Sequence, residues 1–141
     1  MIPGGALRGD VAREFRPDLS LVESEQEVEI QVRSERPRSV ATRMVVHGGE
    51  LYVPAVLAFP FTRWPHQVVE DERVVLRASG LLYRARAVRV NAPELEAELR
   101  QLVAKKYQLD PQDLSPPDKM WFFWIDFPRG SVAQISPLTS R

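Results

Sequence analysis

The chain contains no cysteine, which excludes a disulfide framework, thiol catalysis and thiolate metal sites together. It has no excess of either charge, with Lys+Arg and Asp+Glu at 19 each. Nucleic-acid modules usually gather a basic excess on one face, so nucleic acid is not expected as a partner. No run approaches the roughly 20 apolar residues that span a bilayer, so no transmembrane segment is expected. Residues 1–6 have neither a basic n-region nor an apolar h-region, and the chain as it stands is expected to be soluble and cytoplasmic. Histidine is scarce: His47 and His66 fall in different elements, and no metal site is expected. What remains is 141 residues with 44% hydrophobic content, enough for the core of one ordinary domain.

Within that domain the pattern is mostly of period two. From Glu25 to Ser34, Val28, Ile30 and Val32 alternate with Glu27, Glu29, Gln31 and Arg33, a strand with one solvated face. Ser39 to His47 reads as the next strand, with Ala41, Arg43 and Val45 on one face. Gly48-Gly49 supplies the positive-φ residues of a two-residue hairpin turn, and Leu51 to Leu57 returns. Pro54 removes a ladder donor, so this strand is expected at an edge or bent there. Arg73–Ala78 and Leu81–Val90 form a second hairpin around Ser79-Gly80, and Lys119 to Phe127 is a last, strongly apolar strand. Ala6 to Val11 reads as a short edge strand.

Two helices are expected. Thr62 to Asp71 is short, with Thr62 as N-cap and Pro65 in its first turn. Asn91 to Tyr107 is longer: Asn91 caps it with Glu94 at capping-box spacing. Leu95, Leu99, Leu102 and Val103 mark its apolar face, and Glu96 faces Arg100 at i,i+4.

Two cations stand out. Arg63 sits at the start of the short helix, where free amides and the dipole favour an anion, and its guanidinium could fork onto a phosphate. The alternative is a solvated arginine beside a helix cap. Arg43 projects from a row of small and apolar residues; it either reaches an anionic ligand or pairs with a glutamate across the sheet. Arg36 and Arg38 add positive potential near the same strand start.

The order of elements from Arg38 to Val90 resembles the small split β-barrels of the pyridoxamine 5'-phosphate-oxidase-like superfamily and its deazaflavin-binding relatives. The expected fold is therefore mainly β with two helices, an FMN-binding-like split β-barrel in a single domain over 1–141. Residues 1–24 would be an N-terminal extension, 25–129 the barrel core and 130–141 a tail. The resemblance implies FMN or a deazaflavin as cofactor, with the phosphate near Thr62, Arg63 and Arg43, and with Trp64 and His66 as further cofactor contacts; the alternative for His66 is a plain surface histidine. Relatives often carry asparagine where this chain has His66-Gln67. The expected activity is that of a flavin- or deazaflavin-binding redox protein with no catalytic side chain of its own; the alternative is a cofactor-free binding or structural module. The tail Ser131–Arg141 lacks the arginine motif with which the oxidases hold the vitamin phosphate, so pyridoxamine phosphate is not expected as substrate. Similar barrels begin with an Ile-Pro-Gly-Gly-like segment behind an export or lipid-anchor sequence, so a trimmed, exported or anchored precursor is the alternative to a cytoplasmic chain.

Trp121-Phe-Phe-Trp-Ile-Asp-Phe127 is apolar on both faces of a strand, since Trp121 and Phe123 point one way and Phe122 and Trp124 the other. One face must enter the core and the other must meet the long helix, a terminal segment or another chain. A homodimer is expected, with the cofactor site across its two-fold interface as in the resembling barrels.

Overall fold

The computed structural model describes residues 7–32, 38–57 and 63–129. The expectations for Thr62 as a cap, for Arg36 and for the tail from 130 lie outside the described residues; of the edge strand expected over Ala6 to Val11, residues 7–11 are described and make no strand, only an isolated bridge from Val11 to Leu82. Seven strands form one curled, antiparallel half-barrel: β1 Val28–Val32, β2 Arg38–Thr42, β3 Val45–His47, β4 Glu50–Val56, β5 Arg73–Ala78, β6 Leu81–Arg89 and β7 Met120–Asp126. Their order across the sheet is β2-β1-β5-β6-β7-β4-β3. The period-two reading holds on β1, whereas β4 is buried from Leu51 to Ala55 without alternation. Val28, Ile30 and Val32 of β1 face Leu76 and Val74 of β5 within the core, while Glu29 and Gln31 keep partial access to water.

The long strand expected over Ser39–His47 does not exist as one piece. It breaks at Arg43-Met44, and its halves lie on opposite edges of the sheet. β2 pairs with β1, whereas β3 pairs with β4 through the Gly48-Gly49 turn, both glycines at positive φ. Arg43 therefore sits in the crossing and not on a strand face. The peptide there has left one ladder before joining the next, so its polar groups need other partners. Tyr107 supplies them from the end of a helix: its hydroxyl accepts from the Met44 N–H at 3.0 Å and donates to the Gln26 carbonyl at 2.6 Å. Met44 itself is fully buried.

The described residues contain three α-helices, one more than expected, together with two 3₁₀ turns. α1, Leu19–Glu23, lies in what reads as a plain extension; Asp18 caps it by accepting from the Ser20 amide at 3.0 Å. The Ser20 hydroxyl first, and that amide second, hold the exposed Asp18 carboxyl below its usual range. Val22 is the reason the helix belongs to the fold, since it is completely buried in the barrel core. α2, Trp64–Glu70, sends Trp64 and Val68 into the same core, with the Trp64 ring 5.6 Å from Phe123. α3, Pro93–Lys106, begins at an Ala92 cap with no side-chain bond; the expected Asn91 cap is displaced because Pro93 already takes the first helical position. Arg100 turns to the Met120 sulfur at 3.5 Å, and among the described residues no Glu96–Arg100 ion pair forms.

α3 also answers the question of the two-faced strand. Phe123 and Ile125 of β7, with Phe127 just beyond its end, fill the barrel interior, and Phe122 joins Leu99 and Val103 of α3 in a second cluster with Val45, Tyr52 and Val90. Burying each of those helix side chains contributes about 1.5–3 kcal/mol. Both faces of β7 are thus covered within one chain. Trp124 remains half-buried and donates to Glu50 at 3.1 Å, a carboxylate that also meets Arg129 at 3.3 Å.

Replacing Tyr107 by Phe should cost about 1–3 kcal/mol in urea unfolding, because the ring stays and the Met44 amide loses its acceptor. A change below about 0.5 kcal/mol, the ordinary size of a surface substitution, would show that the hydroxyl does not hold the crossing. All three tyrosines, Tyr52, Tyr83 and Tyr107, have phenols pushed above 10.0, in each case chiefly by burial. The folded chain binds those protons more tightly than the unfolded chain does. Their contribution to stability is therefore constant below pH 10.0 and is lost as pH rises through the raised folded values. Tyrosinate absorbance should lag behind free tyrosine above that pH and then rise together with the loss of circular dichroism; a titration like that of free tyrosine in the folded protein would refute this.

Candidate functional site

β3 is only three residues long and pairs with β4 at Glu50, Leu51 and Tyr52. Among the described residues the rest of β4, Val53 to Val56, has no strand paired on that side, and β2 approaches it across the seam of the half-barrel. Pro54 fits there because no donor is needed beyond the reach of β3. The Pro54 carbonyl accepts from the Thr42 hydroxyl at 3.2 Å, one of the bonds that join the two lips of the seam.

Along this seam runs a cleft of about 800 Å³, walled by β2, the free half of β4, the start of α2 and the loop after α3. Its floor is apolar, with Val40, Pro54, Ala55, Trp64 and Met120. Arg38, Arg43 and Arg63 supply its charge, against the single carboxylate of Asp113, and Gln67 and Ser115 add neutral polar groups. Among the described residues no carboxylate pairs with any of the three guanidiniums, whereas Arg73, Arg77, Arg86 and Arg129 are each bound to one. Three cations against one carboxylate leave the cleft with an excess of positive charge, which favours an anion. A second groove of about 610 Å³ lies on the outer face of β6 and β7 around Trp124, but Arg86 and Arg129 there are already tied to Glu72 and Glu50.

The structure brings together three of the residues singled out from the sequence. Arg63 is exposed at the cap of α2, Trp64 follows it into the floor, and Arg43 lies with its guanidinium 4.9 Å from the centre of the Tyr107 ring. Thr62 lies outside the described residues. His66 does not line the cleft: its ring meets the edge of Trp121 at 5.1 Å, on the far side of α2, where Arg89 stacks on the same indole at 3.9 Å. His47 pairs with Glu98 of α3 at 3.0 Å, away from the cleft. Among the described residues no group of three His, Asp or Glu could hold a metal ion.

Sequence reasoning gave Arg38 too little weight. Its register partner is Val32, so it shares the inward parity of Val40 and Thr42 and opens onto the cleft. That parity was readable once β2 was known to start at residue 38. The contributions of Asp113, Ser115 and Met120 were not, because they arrive from a loop and a strand some 70 residues away.

No protein-family model and no curated protein matches this sequence. Solved structures do match. The heme storage protein HutZ of Vibrio cholerae is similar over 79% of this chain and 88% of its own, with a TM-score of 0.64 and 13% identity. A putative pyridoxamine 5'-phosphate oxidase of Listeria innocua covers 79% and 90%, at 0.61 and 14%. An FAD-binding protein of Mesorhizobium loti covers 79% and 87%, at 0.55 and 11%. At such identities the likeness is one of fold, and the fold of this chain is a split β-barrel like theirs.

Proposed function

We propose that this protein binds a flavin-type cofactor, FMN or a deazaflavin, by its phosphate in the seam cleft and works in the cytoplasm as a redox protein. The observation that carries this reading is the set of three guanidiniums over an apolar floor that, among the described residues, have no carboxylate partner. Arg63, which follows Thr62 in the sequence, is the group that would hold the phosphate; Arg43 adds a second cation farther along the cleft, and the apolar floor from Val40 to Met120 excludes water behind the ligand. The bound cofactor would supply the electron or hydride chemistry; the chain supplies binding and orientation. The fold is shared with an FAD-binding protein, which supports the class of ligand.

One observation favours the cofactor-free alternative. Trp64 is 8% exposed and packed on Phe123, so its indole offers little free face for a ring to stack on. The two readings separate in a titration. Purified protein should quench FMN fluorescence at micromolar concentration, and Arg63→Ala should weaken binding by about 1.5–3 kcal/mol, the scale of a lost charged hydrogen bond. Colourless protein that leaves FMN fluorescence unchanged would overturn the flavin reading in favour of the module.

The proposal includes a homodimer. With both faces of β7 covered internally, its support is now the free edge of β4, where Val56 is 44% exposed beside the cleft. An unpaired strand edge carrying an apolar side chain is a ready pairing surface. Sedimentation at micromolar concentration should give twice 16.1 kDa, and a clean monomer would rule the dimer out.

A further inference from the structure

The three arginines of the cleft do not converge on one point. β2 runs about 13 Å from Arg38 to Thr42 at the rise of an extended strand, and Arg43 lies one residue beyond. Register shows which end each cation belongs to. Arg38 opposes Val32, and Val32 opposes Val74 near the start of β5. Past that level β6 and β7 continue to Arg89 and Trp121, against which His66 of α2 packs. Arg38 and Arg63 thus share the end that α2 closes. Thr42 opposes Val28 at the other end.

Arg43 is kept at that far end by Tyr107. The ring sits under its guanidinium at 4.9 Å, a cation–π contact, and the Tyr107 hydroxyl is itself fixed to Met44 and Gln26. The stretch between the two ends is apolar, with Val40 and Ala55 on facing strands. A lone phosphate would neutralise one end and leave the other cation uncompensated.

We propose that the cleft takes an elongated ligand with two separate anionic groups, one at Arg38 and Arg63 and the second at Arg43, and that Tyr107 is the positioning residue that keeps the second site apart. This deepens the reading of the cleft above and rests on it only in taking the cleft to bind anions. The probes are fructose 1,6-bisphosphate, whose phosphates stand at opposite ends of a six-carbon chain, and fructose 6-phosphate, which keeps one of them. Calorimetry on the wild-type chain should show the bisphosphate binding about tenfold more tightly, or better, since one further charged hydrogen-bonding group is engaged. Arg43→Gln should erase that preference and leave the monophosphate within about twofold of its wild-type affinity. Tyr107→Phe, which retains the ring, should keep the preference even where stability falls, and Tyr107→Leu should lose it. Equal affinity for the two sugars, no binding of either, or an Arg43→Gln loss shared equally by both would overturn the proposal. A bisphosphate preference without FMN binding would sink the flavin reading alone; FMN binding without the preference would sink the two-anion site alone.

Discussion

Everything around the cleft depends on one crossing of the chain. A curled sheet of seven strands brings its two edges near each other without closing them, and the peptide at Arg43-Met44 must pass from one edge to the other. Such a crossing leaves backbone groups without a ladder inside a buried region, a cost comparable to a lost hydrogen bond for each group. The Tyr107 hydroxyl removes that cost by accepting from one strand end and donating to the carbonyl before β1. The same ring carries the Arg43 guanidinium. A single side chain at the end of α3 thus fixes both the seam and one cation of the candidate site.

The barrel interior is closed at its two ends by short helices. Neither α1 nor α2 is long enough to be stable alone. Each exists because it inserts side chains into the core: Val22 from α1, and Trp64 and Val68 from α2. On the outside, α3 covers the second face of β7 around Phe122, and Trp124, half-buried against the same cluster, donates its indole N–H to Glu50. Lys106, at the end of α3, is partly buried against Met44, and that burial lowers its ammonium below the usual range while Glu23 and Glu25 partly offset it. The crossing is therefore held by packing as well as by the hydroxyl.

Much of this was legible in the sequence wherever a local rule decides the outcome. The alternation of Val28, Ile30 and Val32, the Gly48-Gly49 turn and the Ser79-Gly80 hairpin all follow from short-range patterns, and each is present. Arg63, Trp64 and Arg43 were found because their chemistry stands out against their neighbours, and they meet in one cleft. His66 looked equally eligible by position, yet the turn of α2 carries it to Trp121 on the other side. A helix of seven residues rotates its side chains through nearly two full turns, so adjacent positions face different surroundings.

Composition, periodicity and turn chemistry determined, from the chain alone, a mostly antiparallel β domain without thiol chemistry and with a long amphipathic helix. Those properties depend on neighbours within a few residues. The tertiary structure alone decided where 38–47 breaks, which edge each half joins, and that α3 covers the second face of β7. It also decided that Arg38 belongs with Arg63 and Arg43. These outcomes rest on contacts such as Tyr107 with Met44 and Thr42 with Pro54, whose partners are separated by 63 and 12 residues, and no local pattern encodes a partner at that distance.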